Sequence, residues 1–247
     1  MIALKYLIKN PIKALRYLIT NPTMFFKKFY NRILLLYKAY FLNDKYSVNV
    51  TKWFKDNGDE TLRFDYPDLN ENSIVFDVGG YVGDFAKKIY EKYGCKVYIF
   101  EPHPVFYQIC VERFSNNDSV IPLNYGLSDT EGEFFLANSV DGSSFSNPNL
   151  KSTKGINCKL KEFLSVMNEL EIKEIDLMKV NIEGVEYPLL MHLAKQDSLD
   201  VVKEYQIQFH TFIEDSISMR DSIAESLSKT HKRTWCYYFV WENWKKV

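Results

Sequence analysis

The sequence predicts an α/β fold, a mostly parallel sheet with helices on both faces, preceded by a helical appendage. Three observations carry this expectation. From Ser73 onward, short apolar runs alternate with helical segments. The first run closes in a glycine-rich turn that opens a helix, in "IVFDVGGYVGDFAKKI". The N-terminal part has a different charge and a three-to-four period, which places a boundary between residues 1–70 and 71–247. At 247 residues and 46% hydrophobic content, one sizeable core with an appendage is within reach.

In chain order, "YLIKNP" and "YLITNP" repeat near the start, and Asn10 and Asn21 precede prolines as N-caps precede first helical positions. Met1 to Leu42 carries eight basic residues and no acidic one, which leaves 23 basic against 32 acidic residues beyond it. Its spaced Leu, Ile, Phe and Tyr residues fit an appendage packed on the main domain or on a second subunit, one lying on an anionic membrane surface, or a basic stretch that binds nucleic acid. The candidate strands that follow are "SIVFDV", "KVYIFEP", "VIPLNYGL", "IDLMKVNI" and "EYQIQFH". Between them "DFAKKIYEKYG", "VFYQICVERF" and "EYPLLMHLAKQ" read as helices, and the aromatic tail "RTWCYYFVWENWKKV" supplies one or two last strands. No run approaches the length of a membrane span, and four cysteines without C-x-x-C spacing suit a reducing cytoplasm rather than a disulfide or zinc framework.

Ligands of such sheets lie at the carboxyl ends of the strands, so the residues there are the candidates. Asp77, Gly79, Gly80, Tyr81, Gly83 and Asp84 close the first strand in a D-x-G-G-x-x-G-D pattern, which does not match the G-x-G-x-x-G of a dinucleotide site. A carboxylate at that point repels a pyrophosphate and favours an amino group or sulfonium. Glu101, 24 positions after Asp77 and followed by Pro102, is placed to accept hydrogen bonds from a ribose. Asn124, Tyr125 and Gly126 end the third strand, where an amide and a ring meet an adenine. Lys179, Asn181 and Glu183 alternate on one face of the fourth strand, and Gly184 turns the chain toward Glu186.

"VFDVGGYVGDF", "VYIFEPHP", "NYGLSDTEG" and "IDLMKVNIEGVEYPLL", followed by "IQFH", resemble the FkbM-type family of S-adenosylmethionine-dependent methyltransferases over roughly Ser73 to His210. The resemblance implies a Rossmann-like class I methyltransferase fold with seven strands, the last antiparallel. It also implies S-adenosylmethionine as cofactor and methyl transfer to a hydroxyl, in glycan-linked members that of a sugar. The family usually has aspartate where this chain has Asn181, so no metal is expected.

The acceptor expected is a carbohydrate or nucleotide sugar, with no nucleic acid partner. His210 at the end of the fifth strand is the candidate general base, Glu183 its orienting or acceptor-binding partner, Lys179 an oxyanion stabiliser, and Asn181 a further catalytic candidate. Ser143 and Ser144 in the polar loop "DGSSFSN", with Glu186, are candidates for acceptor binding. A nicotinamide-dependent oxidoreductase and a non-catalytic binding protein of the same fold are the competing readings.

Overall fold

A computed structural model describes residues 22–137 and 155–247. Their contacts divide the chain into two compact units, Met1–Asn57 and Gly58–Val247. In the first, α1 (Pro22–Tyr40) packs against α2 (Lys45–Lys55). Asp44 caps α2 by accepting the Ser47 N–H at 2.8 Å. The second unit begins earlier than the expected boundary at residue 70. Phe64, Tyr66 and Leu69 are buried in its core, and the Tyr66 hydroxyl donates to Gln206 Oε1 from within the sheet. Among the described residues no helix is long and apolar enough to cross a membrane.

The second unit is built on a seven-stranded sheet in the order β3-β2-β1-β7-β8-β10-β9. Its parallel strands are β1 (Ile74–Val78), β2 (Lys96–Phe100), β3 (Val120–Leu123), β7 (Leu177–Val180) and β8 (Glu204–Ile207). The aromatic tail forms the hairpin of β9 (His231–Tyr237) and β10 (Trp241–Lys246), and β10 runs antiparallel to β8. This is the seven-stranded arrangement with an antiparallel last strand that the sequence led us to expect.

The central strands read as continuous apolar runs because both of their faces are covered. Phe76, Val78 and Phe100 point into one core cluster, whereas Val75, Val97 and Ile99 point into the other. The connecting helices are α3 (Asp84–Tyr93), α4 (Pro104–Arg113) and α6 (Glu186–Lys195), as expected from the sequence. α3 buries Phe85, Ala86 and Ile89 on one stripe, and its end is set by Gly94 in the left-handed region, whose N–H bonds to Tyr90 O.

Two features depart from the sequence reading. "VIPLNYGL" is not one strand: after β3 the chain leaves the main sheet, and β4 (Gly126–Ser128) joins a three-stranded sheet with β5 (Gly132–Ala137) and β6 (Gly155–Glu162). Glu162 ends β6 and caps α5 (Phe163–Glu169) by accepting the Leu164 and Ser165 N–H groups. The second is α7 (Ser216–Leu227), which no apolar stripe announced. Its inward face carries Arg220, buried on Glu242 at 2.9 Å, beside Ile223 and Leu227, and a charge at a core position reads as surface in a periodicity count.

Candidate functional site

The carboxyl ends of β1, β2, β7 and β8 bring the predicted residues to one edge of the sheet. At the end of β1 the chain turns through Gly79, whose φ of +82° suits glycine and at which a Cβ would lie 2.0 Å from the Asn181 carbonyl oxygen. The Gly79 and Gly80 N–H groups both donate to Phe100 O, which pins the turn to β2, and Tyr81 (φ +50°) and Gly83 lead into α3.

Beneath this turn Asp77 is fully buried. Its Oδ1 lies 2.9 Å from the Lys179 ammonium, which also donates to Gly79 O at 2.6 Å. The Lys179 charge is therefore spent on supporting the loop, which corrects the expectation that it stabilises an oxyanion. Burial lowers the proton affinity of Lys179 and the adjacent Asp77 carboxylate opposes that loss. Asp84, expected to face a cationic ligand, instead pairs with Arg113 at 2.7 Å on the surface between α3 and α4. What the loop keeps for a ligand is acceptor capacity: Asp77 Oδ2 is buried without a hydrogen-bond partner among the described residues, as is Asn181 Oδ1.

Glu101 follows β2 and is buried. Its carboxylate accepts the Tyr81 N–H at 2.6 Å and the His103 N–H at 2.9 Å. Burial raises its pKa to about 7 in spite of those two bonds. Pro102 is buried behind it, and the Phe106 ring meets the Tyr81 ring edge-on at 4.3 Å and the His103 ring at a tilt at 4.5 Å. Phe106 and His103 were not singled out from sequence, where they read only as a helix start.

The three residues after β3, expected to meet an adenine, are also engaged within the protein. The Asn124 amide nitrogen donates to the Glu101 and Pro102 carbonyls, tying two strand exits together. Tyr125 packs on Phe100 with Lys161 over its ring, and burial pushes its pKa to about 12. A Cβ at Gly126 would lie 2.8 Å from Leu160, so this glycine serves the packing of β4 on β6.

Past β7 the backbone passes through Glu183 at φ +51°, an uncommon conformation for a side-chain-bearing residue and one associated with functional sites. Glu186 follows at the start of α6, fully buried. Its Oε2 accepts the Gly184 N–H at 2.7 Å, and its Oε1 accepts the His210 N–H at 2.9 Å and lies 2.9 Å from His210 Nδ1. Glu183 Oε2 is 3.7 Å from His210 Nε2. The histidine's orienting partner is therefore Glu186, not Glu183, and Glu186, with no exposed surface, is shut away from the acceptor it was expected to bind. Burial opposes protonation of His210, but its hydrogen bond and attraction to Glu186, with Glu183 adding to them, raise its pKa above 6.5. The exposed Phe212 ring stands 5.3 Å from the His210 ring, a neighbour missed in the sequence. Ser143 and Ser144 lie outside the described residues.

The residues present suit S-adenosylmethionine. Asp77 Oδ2 and Asn181 Oδ1 are buried acceptors that match an ammonium donor, and Glu101 adds a carboxylate for a ribose diol beside three aromatic rings. No group of three or more metal-ligating side chains is found among the described residues.

A family model described as Methyltransferase FkbM domain matches residues 77–230, more than half of the chain. A curated protein of Methanococcoides burtonii named Probable ribosomal RNA small subunit methyltransferase A is 34% identical over 56 residues, which are 23% of this chain and 20% of that protein's length. Among solved structures, M. capricolum TrmK with S-adenosyl-homocysteine is 12% identical at a TM-score of 0.42, covering 73% of this chain and 65% of its own. Aeropyrum pernix fibrillarin with bound S-adenosyl-L-methionine is 8% identical at a TM-score of 0.42, covering 74% and 69%.

Proposed function

The chain belongs to the FkbM methyltransferase domain family and takes S-adenosylmethionine as its methyl donor, and from that premise we propose that it methylates a hydroxyl of a saccharide, as a nucleotide sugar, glycan or glycolipid precursor. The observation that carries this reading is His210, a histidine held by a buried carboxylate at the carboxyl end of β8, with a second carboxylate and an exposed aromatic ring beside it. A sugar hydroxyl is a poor nucleophile until its proton is removed, and it is recognised through acceptors for its hydroxyls and an apolar surface for its ring. Glu183 and Phe212 supply both.

The bound cofactor supplies an electrophilic methyl group on a sulfonium. His210 Nε2 takes the hydroxyl proton as the oxygen attacks. Glu183 aligns the acceptor through a hydroxyl, and Asp77 and Glu101 hold the donor, so both partners meet in one orientation. Lys179 and the Gly79 turn keep Asp77 in place.

An RNA acceptor is the second reading, favoured by the ribosomal RNA methyltransferase to which a part of the chain is similar. Against it, the chain beyond Leu42 carries 23 basic against 32 acidic residues, a balance that opposes a polyphosphate. Purified full-length protein incubated with labelled cofactor and a panel of sugar nucleotides, glycans and RNAs tests this by mass spectrometry. Label on a saccharide oxygen is the expected result; label confined to RNA overturns it.

The first unit supports docking on an anionic membrane. α1 has no acidic residue in its first turn, exposes Lys27 and Lys38, and presents Tyr30, Ile33, Tyr37 and Tyr40 to solvent, with Phe41 exposed just beyond its end.

A further inference from the structure

We propose that Glu186 sets the tautomer of His210, placing the proton on Nδ1 and leaving Nε2 as the acceptor of the substrate proton. Glu186 is thus a positioning residue, and the inference deepens the O-methyltransferase reading and rests on it. The geometry allows one arrangement. A carboxylate presents acceptors only, and Glu186 Oε2 already takes the Gly184 N–H while Oε1 takes the His210 backbone N–H. The His210 Nδ1 that lies 2.9 Å from Oε1 must therefore be the donor.

The rest of the ring is held to match. The Tyr187 hydroxyl donates to the His210 carbonyl at 2.7 Å, and Phe212 flanks the imidazole. The charged groups facing His210 are Glu186 from α6 and Glu183 from the turn before it. They differ in kind. Glu186 has no exposed surface, whereas the Glu183 side chain is 37% exposed and sits 3.7 Å from Nε2, beyond hydrogen-bond length. That gap leaves Nε2 unengaged by Glu183 and open to a hydroxyl that both groups can reach.

The two carboxylates, only three residues apart, hence divide two tasks. Glu183 faces the acceptor. Glu186 works through His210, stabilising the imidazolium formed when Nε2 takes the proton, as a buried carboxylate does behind a histidine base. Glu183 takes a left-handed backbone at φ +51°, and the turn sets Glu186 on Nδ1 while Glu183 stands off Nε2.

The test is nitrogen NMR of the imidazoles in the full-length protein, with His210 assigned by H210Q. In the wild type the neutral ring is expected as the Nδ1–H tautomer; a neutral Nε2–H ring overturns the proposal without any variant having to fold. In Glu186→Gln the His210 titration is expected to move to lower pH and kcat to fall by about 100-fold, with cofactor affinity unchanged. An unmoved titration in Glu186→Gln overturns it, as does Glu183→Gln changing the tautomer in its place. Since the NMR needs no acceptor, a correct tautomer with no methylated saccharide in the acceptor panel would remove the saccharide reading and leave the Glu186 assignment standing.

Discussion

The Lys179 ammonium and Asp77 Oδ1 stand 2.9 Å apart in the interior, joining β7 to β1 directly beneath the glycine turn that follows β1. Lys179 is 3% and Asp77 0% exposed, so removing one partner strands the other as a buried charge. Lys179→Met should cost about 3–5 kcal/mol in chemical denaturation and weaken cofactor binding as the turn loosens. Unchanged stability would mean that the pair does not support the loop.

Glu101 ties cofactor binding to pH. Burial raises its pKa to about 7, and only the ionised form presents acceptors alone, with lone pairs for a ribose diol beyond those taken by the Tyr81 and His103 N–H groups. The sign follows: affinity for cofactor strengthens as pH rises through about 7. The same shift favours folding below the ordinary value of 4.5, an advantage lost as pH climbs to about 7. Calorimetry across that range should show the rise in the wild type and its disappearance in Glu101→Gln. A flat wild-type profile removes Glu101 from ribose recognition.

His210→Ala should lower turnover by at least about 100-fold and leave cofactor affinity nearly unchanged. Because its pKa is raised above 6.5, the free base appears only above that value, and kcat should climb with pH through it. Any stability owed to protonated His210 is present below 6.5 and lost as pH rises through the folded value. Turnover close to wild type in the variant would take His210 out of the mechanism.

Gly79→Ala places a methyl group 2.0 Å from the Asn181 carbonyl and puts a side chain at φ +82°. The turn must shift, and cofactor affinity should drop by more than about 10-fold, since strain of roughly 1–3 kcal/mol accompanies such a backbone. Thermal shift with and without cofactor reads this directly, and a full ligand-induced shift in the variant would show that the turn's position does not matter.

Exposed Lys27 and Lys38 on α1 give the membrane reading its own check. Reversing both to glutamate should reduce sedimentation with phosphatidylserine vesicles by more than about 10-fold, since each such lysine contributes about 1 kcal/mol near an anionic surface. Undiminished vesicle binding, or a lost dimer in its place, points to a protein partner.

The sequence by itself determined the elements whose signal is local. Apolar runs closed by acids and glycines named β1, β2 and β7, and one closed by a histidine named β8; the stripe of Phe85, Ala86 and Ile89, ended by Gly94, named α3; and the aromatic tail named the closing hairpin. It also named Asp77, Glu101 and His210, because a charge at a strand end is visible without knowing its neighbours. Tertiary structure decided what each of those charges touches. Lys179 was legible as a polar residue on a central strand, but only the β1–β7 register, Asp77 against Lys179, shows that it is consumed by a carboxylate 102 residues away. Glu183 and Glu186 look equivalent in sequence. Backbone direction at φ +51° separates them, burying one behind His210 and leaving the other at its open nitrogen. The surroundings of Asn124, Tyr125 and Gly126 were hidden for the same reason: where the chain leaves the main sheet for β4 depends on packing against β6, a segment more than thirty residues later.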